Sequence, residues 1–213
     1  MNLKYELQRI ISGVSENPEG NIIKSAADFL RKSKEAGGNA ETNEFTKSQE
    51  AARLVDWIED CGLWFGDIDE NRFIAEGAEQ KVYLDKDSKH VIKLNDTVFY
   101  AHWEDYLHSL LIHNFLFPET DYTLIGFRFE NQNIKAVVRQ PFIEITEPTD
   151  PNLVKEFLLA NGFKLKKNND YFHPTAGIIL EDLHEENVLT KNGILFFIGT
   201  IFYLTPSFYS EHS

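Results

Sequence analysis

Cysteine is almost absent from this chain of 213 residues. The single Cys61, in "WIEDCGLWF", excludes an intramolecular disulfide, and its apolar neighbours predict a buried structural thiol. Positive charge is also scarce. Lys and Arg number 21 against 34 Asp and Glu, and the net charge of -13 opposes condensation on a phosphate backbone, so a nucleic-acid partner is not expected. The one local basic group, Lys164, Lys166 and Lys167, reads as a solvated loop. Long apolar runs are missing too. No segment approaches the length that spans a bilayer, and "MNLKYELQRIISGV" interleaves charge with apolar residues where a secretory signal has an uninterrupted core. A soluble, cytoplasmic protein with no membrane partner is the expectation.

What is present can build a core. Hydrophobic residues make up 42% of the chain and aromatics 13%, which places it among globular rather than disordered sequences. The length suits one large domain, or a medium domain with a helical appendage.

The first third carries helical periodicity. "NIIKSAADFLRKSKEAGG" sets Ile22, Ile23, Ala26, Phe29 and Leu30 at helical spacing, with Gly37 and Gly38 as the stop. A second helix follows from Thr46 as cap, the stripe Ala51, Leu54, Val55 and Ile58, and Gly62 as terminator. Trp57, Trp64 and Phe65 read as packing residues. From about residue 72 the pattern becomes strands, "RFIAEG", "QKVYLD" and "HVIKLN", predicting an antiparallel meander. A long helix over "TVFYAHWEDYLHSLLIHNFLF" and two more strands, "YTLIGFRFE" and "IKAVVRQPFIEI", complete this half. Beyond it come a helix at "DPNLVKEFLLANGFKL", a loop at 180–187, the strands "NVLT" and "ILFFI" around the turn "KNG", and a tail.

Chemistry-bearing residues gather in the second and third parts. Gly77 sits in the hairpin "IAEGAEQKVYLD", Val82 follows it, and Lys93 occupies the next strand between apolar neighbours. Glu104 shares a helix face with Leu107, Leu111 and Phe115, which turns it inward, with Asp105 as its rival. "EDLHEENVL" places Asp182 and Asn187 five residues apart, with His184 between them. A zinc reading of His184 and Glu185 fails because Val188 stands where the second histidine of H-E-x-x-H belongs. His102, His108 and His113 complete no ligand set.

Taken in order, these residues resemble the protein-kinase fold, and more narrowly the small kinase-like domains of bacterial and phage polyvalent proteins; aminoglycoside phosphotransferases are more distant likenesses. The resemblance covers roughly residues 72–204 and implies an α+β, minimal two-lobed fold. Its parts are a helical extension over 1–70 packing on the kinase-like lobe, an N-lobe over 71–145 with a five-stranded antiparallel sheet and one helix, and a strongly truncated C-lobe over 146–213. It further implies ATP and Mg²⁺ as cofactors, with triphosphate under Gly77, Val82 on the base, and adenine along Gln140, Phe142 and Ile143. Lys93 would hold the phosphates, Glu104 would orient Lys93, Asp182 would serve as base and Asn187 as metal ligand.

Two departures stand against an intact enzyme. Gly199, in "FFIGT", falls where the family has the metal-binding aspartate of D-F-G, so direct carboxylate support for the metal is missing. Only 14 residues (213 minus 199) follow it, too few for a protein-kinase substrate platform unless a partner protein supplies one. The expectation is a degenerate nucleotide-binding, pseudokinase-like module. Its alternatives are an active minimal phosphotransferase and a non-nucleotide interaction module of a mobile element or phage.

Overall fold

The computed structural model describes residues 2–12, 21–36 and 46–210. Gly37 and Gly38, the expected helix stop, lie outside the described residues. Three helices come first: α1 (Leu3–Ile11), α2 (Ile22–Ala36) and α3 (Lys47–Cys61). At the start of α3 the Thr46 side chain accepts from Gln49 N–H while the Gln49 side chain accepts from Thr46 N–H, a reciprocal cap contributing about 1 kcal/mol. Gly62 closes the helix in the left-handed region, as its sequence position suggests. Cys61 is exposed, which corrects the expected buried thiol. It lies in the last turn, where residues 59–62 are all exposed and the Leu54–Ile58 stripe has run out.

The chain divides into two compact units. One holds α2, α3, the first part of α4 (Trp103–Leu116) and a five-stranded antiparallel sheet; the other holds α1, the end of α4 and the described residues from Ile143 onward. Of the helices in the first 70 residues, α1 falls in one unit and α2 and α3 in the other.

In the sheet unit the strands are β1 (Phe73–Glu76), β2 (Gln80–Leu84), β3 (His90–Asn95), β4 (Thr123–Glu130) and β5 (Asn133–Pro141), in the order β1-β2-β3-β5-β4. Strand alternation gives the sheet two different faces. Tyr83, Ile92, Leu94 and Val137 pack under Phe65, Ile68 and Ile125 on one. On the other, Phe127 is fully buried against the rings of Trp57 and Trp103. Lys93 lies on this second face, paired with Val82 on one side and Val138 on the other. The segment Leu63–Phe65 runs beside β4, with Phe65 N–H donating to Phe127 O at 2.7 Å and Phe127 N–H to Leu63 O at 2.9 Å. That approach needs Gly126, since a Cβ there would stand 2.6 Å from Leu63 O and its φ is +154°. The helix expected from Thr97 begins only at Trp103. Asn95 and Asp96 side chains accept from the Thr97 and Val98 amides, a local bonding pattern that competes with helix.

The second unit contains α5 (Pro151–Ala160), β6 (Lys164–Lys167), β7 (Asp170–His173), β8 (Ile178–Glu181), β9 (Val188–Lys191), β10 (Ile194–Phe197), β11 (Ile201–Leu204) and α6 (Pro206–Tyr209). Asp150 caps α5 by accepting from Asn152 N–H, with Pro151 in the first turn. The lysines expected in a loop form β6 instead, an exposed edge strand, and the expected tail contributes β11. Together they make a four-stranded sheet ordered β11-β8-β7-β6. Leu7, Ile112, Val154, Leu158, Ile178, Leu180, Phe202 and Phe208 belong to this unit's core. Among the described residues, no helix is long and apolar enough to cross a membrane.

Candidate functional site

The residues expected to meet a nucleotide sit mostly on the sheet unit. Gly77 N–H donates to Gln80 O at 2.9 Å, closing a tight turn between β1 and β2. Open space surrounds the position a Gly77 Cβ would take, so packing alone does not demand glycine there. Lys93 is 3% exposed. Burial draws its ammonium down to about 7, and the negative charge of Glu79 opposes that shift. The Lys93 Nζ stands 5.4 Å from the centroid of the Tyr122 ring, and the Tyr122 hydroxyl is hydrogen-bonded to Gln140, itself buried. Phe142 is exposed, and its N–H donates to Lys89 O at 2.9 Å, extending the β3–β5 ladder. Ile143 is partly buried.

Glu104 has a partner that sequence reasoning missed. Lys34 of α2 reaches Glu104 Oε2 at 2.6 Å and Glu50 Oε1 at 2.8 Å. Glu50 is fully buried, and its other oxygen accepts the Trp103 N–H at 2.6 Å. The result is a charged bridge across α2, α3 and the first turn of α4. Removing the lysine would leave the buried Glu50 carboxylate without this cation. Asp105, the rival, has a carboxyl raised by burial. Glu104 is thus paired with Lys34, a partner on α2.

In the other unit, β8 ends at Glu181 and Asp182 turns the chain with φ +66°, a conformation that Asp tolerates better than most residues. Asn187 Nδ2 donates to Asp182 O and Oδ2, both at 2.8 Å. His184 Nε2 lies 3.2 Å from Asp182 Oδ1 and 3.1 Å from Asn187 Nδ2. Asp182, His184 and Asn187 are therefore brought together at the surface. The hairpin β9–β10 returns the chain to the same point, where Ile198 and Gly199 N–H both donate to Asn187 O, at 2.9 and 3.2 Å. A Cβ on Gly199 would meet Asn187 Oδ1 at 2.1 Å. A carboxylate at 199 cannot simply be added to this arrangement, so these residues do not fit a magnesium ion held jointly from positions 187 and 199.

Other groups resolve into structural roles. Asp85, Asp87 and His90 bring three potential ligand atoms together in the turn between β2 and β3. Arg139 binds Asp85 at 2.6 Å and also pairs with Asp87, while the Lys89 amide and His90 hold the Asp87 carboxyl down to about 2. That is a neutralised turn. His113 is buried with Nδ1 2.7 Å from the Thr200 hydroxyl and Nε2 2.8 Å from Thr120 O, both nitrogens serving the core. Lys34 and Glu50 left no signal in the sequence, because their spacing matches any solvated helix face.

No curated protein and no solved structure matches the chain. The family described as serine/threonine/tyrosine kinases found in polyvalent proteins matches residues 47–206, from the first turn of α3 to the start of α6 and hence well over half of the chain. The five-stranded antiparallel sheet with α4 between β3 and β4 accords with that match, and the chain belongs to this kinase family.

Proposed function

We propose that the chain is a degenerate kinase-like module that binds ATP-class nucleotides and transfers phosphate weakly or not at all. In this reading the turn at Gly77 covers the phosphates, Lys93 holds them, and Val82 contacts the base. Gln140, Phe142 and Ile143 form the adenine edge. Because the Phe142 N–H already serves Lys89 O, base recognition there falls to the remaining backbone groups and to the exposed Phe142 ring. Asp182 keeps the carboxylate of an acceptor-side base and Asn187 the amide of a metal ligand.

The observation that carries the degenerate reading is the crowding of Gly199 against Asn187, which removes the usual carboxylate and fills its space with an amide. Titration with ATP, with and without Mg²⁺, followed by thermal shift and phosphate release, tests the proposal. The expected result is a shift largely independent of metal, lost in Lys93→Met, with negligible turnover. Robust Mg²⁺-dependent turnover abolished by Asp182→Asn would replace it with an active phosphotransferase. Absence of any nucleotide binding would leave an interaction module.

A further inference from the structure

We infer that the sheet unit carries a second small-molecule site, a cavity between the first turn of α3, the loop joining β3 to α4 and the β4–β5 turn, and that it takes a zwitterion of the amino-acid class with an apolar side chain.

The cavity measures about 580 Å³, within the range of about 300–1,000 Å³ that small-molecule sites occupy. None of the residues expected to meet a nucleotide lines it. Ala51, Trp103 and Ile134 give it an apolar wall, which the exposed Val98 extends toward solvent. Four charged side chains complete the lining, and they differ in how far they are already engaged. Lys135 and Glu130 pair with each other at 3.3 Å. Lys47 and Asp96 make no ion pair among the described residues. Lys47 Nζ donates to Thr97 O at 2.5 Å and to Tyr100 O at 3.1 Å, which leaves one of its three protons over. Asp96 Oδ1 accepts the Val98 N–H at 3.2 Å, which leaves Oδ2. Burial lowers the Lys47 ammonium against the pull of Asp96, so this cation has already given up part of its water. One spare ammonium proton and one spare carboxylate oxygen beside an apolar wall match the carboxylate, ammonium and side chain of an amino acid.

Thr97 supplies an independent indication. It lines the cavity, it is fully buried, and its hydroxyl has no hydrogen-bond partner among the described residues. Native folds leave few such groups unmet. Its φ is +60°, a left-handed conformation that a β-branched residue rarely adopts, and the conformation is held from both sides: the Thr97 N–H donates to Asn95 Oδ1 at 2.7 Å while its carbonyl accepts Lys47. Asn131 and Gln132, also at positive φ, form the two-residue turn of the β4–β5 hairpin, where that geometry is ordinary. Strain and an unmet hydroxyl thus coincide at the residue that Lys47 braces and Asp96 precedes. A carboxylate taking the spare Lys47 proton arrives beside it.

The experiment titrates ¹⁵N-labelled full-length protein with L-leucine, following the amides of Ser48, Ala51 and Val98, and repeats the titration with 4-methylpentanoate, which lacks the amino group, and with leucinol, which lacks the carboxylate. Saturable binding of leucine with a Kd of about 10 mM or lower is expected, with each analogue about tenfold or more weaker. Asp96→Asn should erase the preference for leucine over 4-methylpentanoate, and Lys47→Gln the preference over leucinol. No saturable shift with leucine, shifts confined to other amides, or equal binding of leucine and either analogue overturns the inference. Lys47 also braces two carbonyls, so should Lys47→Gln fail to fold, Asp96→Asn decides: loss of the amino-group preference supports the site and its persistence overturns it. No nucleotide enters the titration, so its outcome is independent of the roles proposed for Gly77 and Lys93.

Discussion

Asn187 and Gly199 share one space: a Cβ on residue 199 would stand 2.1 Å from Asn187 Oδ1 and 2.6 Å from its Cγ. Gly199→Ala must push the amide off Asp182 and is expected to cost about 1–3 kcal/mol of stability. In an Asn187→Ala background the two nearest atoms are gone, so the same change should cost much less. Urea unfolding of the four proteins of this cycle measures the coupling, expected to exceed about 1 kcal/mol. Gly199→Asp alone is accordingly not expected to restore turnover.

Lys93 makes stability depend on pH in a defined window. Its ammonium releases a proton near 7 in the folded chain and near 10.5 when unfolded. Between those values the unfolded chain binds the extra proton, so stability rises with pH. Relative to Lys93→Met, wild type should gain up to about 1.4 kcal/mol per pH unit across this range. Denaturant midpoints of both proteins from pH 6.5 to 10 check it. A constant difference between them would contradict the burial of this charge.

Lys34→Met tests the helical bridge. It leaves Glu50 buried beside the Trp103 amide without its cation, and a loss of about 3 kcal/mol is expected. Glu104→Gln should cost less, because Lys34 keeps Glu50 and the amide oxygen still accepts. Thermal and urea unfolding compare the two variants.

Two glycines of the sheet unit should respond in opposite ways. Gly126→Ala drives a methyl against Leu63 O at φ +154°, with an expected loss of about 2–3 kcal/mol. Gly77→Ala meets open space and should leave the unfolding midpoint almost unchanged. If phosphates lie over that turn, Gly77→Ala should still weaken ATP binding several-fold, which calorimetry would detect.

Elements with strong periodicity were legible in the sequence. The α3 cap at Thr46, the meander β1–β3 and the hairpin at "KNG" follow from local rules that need no tertiary partner. The β6 strand did not announce itself, because "KLKK" is exposed along its whole length and pairs through backbone alone. Cys61 misled through neighbours that are close in sequence but not in cover. For the candidate site, the Asp182–Asn187 spacing was readable as a motif, and the contact is a consequence of the turn at Asp182. The inward face of Glu104 was readable too, yet its partner was not. Which cation answers a carboxylate depends on where α2 lies, and nothing local in the sequence reports that.

α1 carries a consequence for anyone choosing fragments to express. Lys4 Nζ donates to the carbonyls of Ser207 and Ser210, at 2.7 and 2.6 Å, and Gln8 to that of Phe208. Leu7 and Ile11 belong to the same core as Leu180 and Phe202. The family match begins at residue 47 and ends at 206, so a fragment trimmed to it would lose this clasp and unroof hydrophobic side chains beneath the Asp182 loop's own strand. The family match and the packed core therefore have different edges, and fragments for expression should follow the core.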